Sequence, residues 1–303
     1  MTSPPSSPIP KLSSEPSLHL IPLDIIEIGY TNFISSWLYN GPEGIFLIDP
    51  GPACTIPVLI AALRARGIEN LDYILLTHIH MDHAGGIGHL LAEFPAAKVV
   101  CHEIAVRHLI DPSRLWEGSR SVIGKVADVY GGIIPVPEDK IIVTDRIDFG
   151  DGISVIPAPG HASHHQCFAF RDHLFVGELM GTYVHLPEEL YLRPATPSRF
   201  VLEDYLTSMH NLEKYLRPNI CFAHYGLRQD PTDILSTARS QLKLWVRIID
   251  ENRDKELDEI LIILLTEDKI FGRLGKLPPL IQKREIHFVR NSILGMLEYL
   301  RSK

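Results

Sequence analysis

Four side chains able to bind metal stand within six residues of this chain: His78, His80, Asp82 and His83, in the run Thr77-His78-Ile79-His80-Met81-Asp82-His83. The apolar stretch before them, Tyr73-Ile74-Leu75-Leu76, reads as a buried strand, and positions i and i+2 of an extended chain point to one side. His78 and His80 therefore present two imidazoles to one ion. After a turn, Asp82 and His83 stand just before Gly85-Gly86, whose conformational freedom lets backbone and metal approach closely, so a second cation can be held there. Imidazole and carboxylate suit Zn²⁺ best, and the same ligand types also serve Fe or Mn. A polar loop that only caps the next helix would explain Asp82 as an N-terminal carboxylate, but not four donors closing an apolar strand.

The elements that must position these groups alternate. Strands are expected over Leu23–Ile28, Asn32–Leu38 and Ile45–Ile48, a helix over Ile56–Arg66, the strand into the histidines, a helix over His89–Phe94, and a strand at Lys98–Cys101. Residues 104–130 read as mainly helical, with Trp116 and an internal break at Asp111-Pro112, and suit a lid. Strands return at Lys140–Val143, Ile153–Ile156, Gln166–Phe170 and His173–Val176, giving two β-rich halves. Helices then dominate, at Phe200–Tyr215, Pro231–Asn252, Glu256–Leu265 and His287–Leu300, with one strand at Ile220–Ala223.

With 303 residues, 45% hydrophobic and 22% charged, the chain has the composition of an ordinary globular enzyme with a sizeable core. A net charge of −8 disfavours nucleic acid or an anionic membrane as the main partner and fits a small-molecule substrate. Cys54, Cys101, Cys167 and Cys221 form no C-x-x-C pair, so reduced thiols and a cytoplasmic setting are expected. The first seventeen residues are Ser/Pro-rich with no apolar core segment, and read as a disordered tail. The longest apolar run near the end, Ile260–Leu265, is far short of the roughly 20 residues of a membrane span. A homodimer is allowed.

His78-x-His80-x-Asp82-His83 resembles the signature of the metallo-β-lactamase superfamily, and of its glyoxalase II-like hydrolases in particular. Further motifs follow in order. Asp49, in Leu47-Ile48-Asp49-Pro50-Gly51, resembles the strand-end Asp beneath the metals. His161, in Pro157-Ala158-Pro159-Gly160-His161, resembles the third histidine of the first metal site, and His224, in Phe222-Ala223-His224-Tyr225-Gly226, the final ligand of the second. Glu178, in Phe175-Val176-Gly177-Glu178, stands where the family usually has the Asp that bridges both metals, so its longer side chain departs from the pattern. His164, His165, His173, His185 and His210 gain no such support and are read as non-ligands.

The resemblance spans about residues 18–230. It implies an α/β (α+β) fold, a four-layer αββα sandwich with the site at one edge, followed by a helical C-terminal extension over 231–303. It also implies one metal held by His78, His80 and His161, a second held by Asp82, His83 and His224, and Glu178 touching both. Two divalent ions about 3.5–4 Å apart activate a bridging water for hydrolysis at neutral pH. Asp82 could orient that water, and Tyr183 or Tyr225 could donate to a developing oxyanion. The resemblance points to a thioester, with an ester or lactone equally compatible, and a β-lactam or nucleic acid less so. A mononuclear-iron sulfur dioxygenase or other redox protein on the same scaffold, and a phosphodiesterase, are the alternatives. Flavodiiron proteins share the scaffold but usually carry Glu where His80 stands. From Ile270 to Lys303 seven basic residues (Arg273, Lys276, Lys283, Arg284, Arg290, Arg301, Lys303) face only Glu285 and Glu298, an excess that suits a solvated helix face or the anionic part of a thiol cofactor.

Overall fold

The computed structural model describes residues 16–147, 152–186 and 189–303. The tail expected over 1–17 lies outside the described residues as far as residue 15, and strand β1 (Ser17–Pro22) starts within its last positions. The strand expected over Leu23–Ile28 is not one: Pro22 closes β1, and Ile26–Ile28 make a single 3₁₀ turn ended by Gly29 at φ +72°. Leu23 and Ile25 are buried in the core, and Ile25 makes only an isolated antiparallel bridge to Tyr30.

Two mixed sheets face one another. The first runs in the order β1, β2 (Ser35–Gly41), β3 (Gly44–Ile48), β4 (Tyr73–Leu75), β5 (Lys98–Cys101) and β6 (Ile141–Val143). β1 to β3 are antiparallel, with Trp37 opposite Ile48, and β3 to β6 are parallel. The crossovers carry α1 (Ile56–Arg64), the single turn α2 (Met81–Ala84), α3 (Ile87–Glu93), and then α4 (Glu103–Ile110), α5 (Ser113–Ile123) and α6 (Lys125–Tyr130). The stretch expected to be helical thus breaks at Asp111-Pro112, as its proline requires, and again at Gly124.

The second sheet joins β7 (Ile153–Pro157), β8 (Gln166–Phe170), β9 (His173–Phe175), β12 (Asn219–Cys221) and β13 (Leu227–Arg228) in the order β13-β12-β9-β8-β7, with β9 and β12 parallel. Between β9 and β12 lie an antiparallel ribbon, β10 (Thr182–Leu186) with β11 (Glu189–Arg193), and α7 (Leu202–Leu212). Helices α8 (Pro231–Glu251), α9 (Leu257–Glu267) and α10 (Pro279–Arg301) follow.

Strand periodicity builds the layers. Trp37, Tyr39, Phe46, Ile48, Leu75 and Val100 of the first sheet meet Phe168, Phe170, Phe175 and Cys221 of the second. Their neighbours Leu38, Leu47, Ile74 and Val99 point the other way, under α1 and α3. Cys167, Ala169, Leu174 and Ile220 likewise face Trp245, Ile249, Ile293 and Met296 of α8 and α10. This is the αββα sandwich, and each large apolar side chain so buried contributes roughly 1.5–3 kcal/mol. The C-terminal helices share the second core. Their basic excess is largely paired: Lys276 with Glu189, Arg290 with Asp258 and Lys303 with Glu203, while Arg284 is buried. No helix among the described residues is long and apolar enough to cross a membrane.

Candidate metal centre

The site lies where strands end. Asp49 follows β3, His78 and His80 follow β4, His161 follows β7, Glu178 follows β9 and His224 follows β12, so loops from both sheets converge at one edge of the sandwich. Two groups of donors result. His78, His80, His161 and Glu178 form one, and Asp82, His83 and His224 the other, with the donor atoms of each group within 4.8 Å of one another.

In the first group His80 Nδ1 lies 3.0 Å from both His78 Nε2 and His161 Nε2. Those separations approach the edges of a tetrahedron whose bonds are about 2.0–2.1 Å, the geometry of Zn–N ligation. The Glu178 carboxylate stands between the groups: Oε2 is 2.8 Å from His161 Nε2, 3.4 Å from His78 Nε2 and 3.5 Å from His83 Nε2, and Oε1 is 3.1 Å from His224 Nε2. The second group is looser, with Asp82 Oδ2 3.7 Å from His224 Nε2 and 3.9 Å from His83 Nε2. Only His80 and Asp82 are partly exposed; the other five are buried.

Contacts behind the donors decide which nitrogen faces inward. His83 Nδ1 lies 3.1 Å from Asp49 Oδ2, His161 Nδ1 2.9 Å from the Ala195 carbonyl, and His224 Nδ1 3.3 Å from the Phe33 carbonyl. With its proton on Nδ1, each ring turns an Nε2 lone pair to the centre. Asp49 does more. Its Oδ1 accepts from the Thr77 N–H at 2.8 Å and its Oδ2 from the Thr77 hydroxyl at 2.6 Å, and Thr77 Oγ lies 3.1 Å from His78 Nδ1. One carboxylate thereby orients a histidine of each group. Asp49 sits at φ +52°, a region costly for a non-glycine residue and characteristic of functional sites.

The chemistry of this set fits a pair of cations. His83 Nε2 is buried with no hydrogen-bond partner among the described residues. Burial alone would lower the His83 pKa, yet the Asp82, Asp49 and Glu178 carboxylates around it hold it well above an ordinary imidazole. The field that favours a proton at that nitrogen favours a metal ion equally, and binding would release the proton. His78 is pushed well below the ordinary value by burial and by His83 and His80, and His80 is lowered to about 4 by burial and His161. Both are neutral near pH 7. Burial acts to raise Glu178, but His161 and His224 outweigh it and keep the carboxyl ionised.

All seven residues read from the sequence as ligands come together. The two tyrosines do not join them in the same way. The Tyr183 hydroxyl lies 3.1 Å from His185 Nδ1, and Tyr225 is half-buried at φ +52° in the turn after His224. His164 and His165, read as non-ligands, fall in neither donor group but support the loops. His164 Nε2 accepts from the Ile79 N–H at 3.3 Å, and His165 Nε2 accepts from the Glu178 N–H at 3.1 Å. Burial lowers both, His164 to about 3, which leaves them neutral acceptors. Sequence reasoning also passed over Thr77 and Tyr205. The Tyr205 hydroxyl of α7 donates to the Glu178 carbonyl at 2.7 Å and lies 3.4 Å from that of Ala195, the partner of His161. Thr77 had a legible signal in its adjacency to His78; Tyr205 had none.

Glycine makes the closest approaches feasible. Gly177 is at φ +52°, and a Cβ there would lie 2.4 Å from His165 Nε2; Gly160 is at φ +141°, and a Cβ there would lie 2.6 Å from Tyr205 Cα.

Comparison with known proteins agrees with this geometry. The Metallo-beta-lactamase superfamily profile matches residues 29–224. A metallo-beta-lactamase fold-containing protein of Sulfurisphaera tokodaii is 30% identical over 221 residues, 69% of this chain and 78% of that one. A hydroxyacylglutathione hydrolase of an Enterobacter species is 27% identical over 239 residues, 77% of this chain and 78% of that one. Among solved structures, an archaeal metallo-beta-lactamase superfamily protein from Sulfolobus tokodaii superposes with a TM-score of 0.68 at 24% identity, covering 94% of this chain and 98% of that one. The matched span contains every donor of both groups, from His78 to His224, together with Asp49 behind them, and on these grounds the chain belongs to the metallo-beta-lactamase superfamily.

Proposed function

We propose that this protein is a dinuclear metal-dependent hydrolase that cleaves an acyl bond, with a thioester as the first substrate class and an ester or lactone as the second. The observation that carries the reading is the Glu178 carboxylate, whose two oxygens lie 2.8 Å from His161 and 3.1 Å from His224, one in each donor group. When bound, two transition-metal ions, zinc by ligand type with iron or manganese as alternatives, supply a hydroxide nucleophile at neutral pH and polarise the substrate carbonyl. His78, His80 and His161 hold one position and Asp82, His83 and His224 the other, with Glu178 reaching both.

Substrate approaches from the side of His80 and Asp82, the partly exposed ligands. Asp82, whose side chain is 16% exposed, is the carboxylate placed to take the proton of an attacking water. Helices α5 and α6 pack against α2, which carries Asp82 and His83, so within the 104–130 stretch read as a lid these two helices flank the approach. A thioester suits this arrangement because its thiolate leaves without help from a strong acid. The likeness to a hydroxyacylglutathione hydrolase supports the same class. The assembled second group, Asp82, His83 and His224, favours hydrolysis over a dioxygenase that needs one iron at the first.

A panel of thioesters, lactones, phosphodiesters and a chromogenic β-lactam tests the proposal. Turnover is expected first for a thioester or ester, abolished by chelator and restored by metal; cleavage of the phosphodiester alone would overturn the acyl assignment.

A further inference from the structure

Helix α10 reaches the metal centre through a stack of three side chains. The His224 ring lies against Phe33, centroids 4.3 Å apart and planes within 18°. On the other face of Phe33 the Arg284 guanidinium carbon stands 4.1 Å from the ring centroid. Phe33 also accepts the His224 Nδ1 hydrogen bond through its carbonyl at 3.3 Å, so one residue holds that imidazole by face and by edge.

Arg284 is anchored firmly for a side chain with no visible partner in catalysis. It is 2% exposed; Nε donates to Glu285 Oε1 at 3.0 Å and Nη1 donates to the Thr31 carbonyl at 3.1 Å. Its Nη2 is buried with no hydrogen-bond partner among the described residues. Glu285 is fully buried and held from the other side by Arg193 Nε at 2.5 Å and the Tyr191 hydroxyl at 3.2 Å. Placing a guanidinium in the interior with one donor unpaired costs stability, which its ion pair with Glu285 offsets in part. The arginine gives what an aliphatic chain would not: a flat, charged plate attracted to the face of Phe33 and fixed by two hydrogen bonds.

We propose that Arg284 is a positioning residue for the second metal ion, acting through Phe33 to fix the plane of the His224 ring. Phe33 cannot withdraw while Arg284 backs it, and His224 cannot turn while Phe33 covers its face. The Nε2 lone pair thus keeps its aim at the space shared with Asp82 and His83. Metal affinity at that position depends on this orientation, because a ligand held in place loses little freedom on binding. The inference rests on the dinuclear reading.

Chelator-treated full-length protein is titrated with Zn²⁺ against a chromophoric competitor, and with Co²⁺ to record the absorption bands of each site. The native chain is expected to bind two ions. Arg284→Met and Phe33→Leu are each expected to weaken the second ion by roughly 10–100-fold, the usual effect of removing a group that orients a ligand, and to leave the first unchanged. Arg284→Lys, which keeps charge but not the flat plate, is expected to resemble Arg284→Met, whereas Arg290→Met, at an exposed ion pair on the same helix, changes neither ion. Equal weakening of both ions, loss of thermal stability with both affinities intact, or full rescue by lysine would overturn the inference. A native chain that binds one ion would overturn the dinuclear reading and the inference with it.

Discussion

Glu178 is where this chain departs from the pattern its other ligands follow, and the structure gives the longer side chain a consistent place. Its carboxylate touches both donor groups while its N–H donates to His165 and its carbonyl accepts from Tyr205, so the backbone has been set for the extra methylene. Replacing Glu178 by Ala is expected to weaken at least one ion and to depress turnover strongly; unchanged metal content and rate would make it a neighbour of the site only. Asp49 allows a different prediction. It binds no ion in this account yet orients His78 through Thr77 and His83 directly, so Asp49→Ala should lower affinity at both positions by about 10–100-fold. Loss at one position only, read by metal titration, would show that Asp49 does not serve both.

At the scale of elements, the strands were legible wherever burial on both faces left a run of apolar residues, as at Tyr73–Leu75, Gln166–Phe170 and Asn219–Cys221. The ligand loops were legible because four donors in six residues have few other uses. The ribbon β10–β11 was not: Tyr183, Val184 and His185 alternate weakly, and the partner that defines the pairing is itself part of the ribbon. The start of α10 was hidden by Pro278-Pro279, which look like a break although proline is well suited to the first helical position. Glycines show how loops and ligands depend on one another. Gly177→Ala adds a Cβ 2.4 Å from His165 Nε2 at a positive φ, whereas Gly67→Ala, at φ +73°, meets nothing within 4 Å. The second change should cost only the left-handed strain, roughly 1–2 kcal/mol. The first should cost about 1–3 kcal/mol more through overpacking and should reduce metal affinity as Glu178 shifts. Equal losses in denaturant titrations of the two variants would contradict the crowding at Gly177.

For the whole molecule, the salient feature is that both halves supply donors to one site and that α10 sets Arg284 over Phe33, the ring stacked on His224. Arg193 of β11 and Arg284 of α10 converge on Glu285, a cluster no local pattern could have shown, because Arg193 lies 92 residues from Glu285 and the adjacent Arg284-Glu285 pair alone reads as surface charge. Burial acts to raise the Glu285 pKa, but the two arginines overcome it and leave it below the ordinary 4.5. The contribution of Glu285 is therefore complete above about pH 4.5 and is lost as pH falls through the lower folded value. Glu285→Gln should cost about 3–5 kcal/mol near pH 7, since it leaves two buried arginines without their counter-charge, and the difference from the native chain should shrink in acid. A difference that stayed constant down to pH 3 would place the stabilisation elsewhere. The measurement closest to the central claim is the metal content of untagged protein by elemental analysis, alongside His78→Ala and His83→Ala. The account predicts close to two transition-metal ions per chain, with each variant losing metal; no metal at all, or a single iron accompanied by oxygen-dependent thiol chemistry, would contradict it.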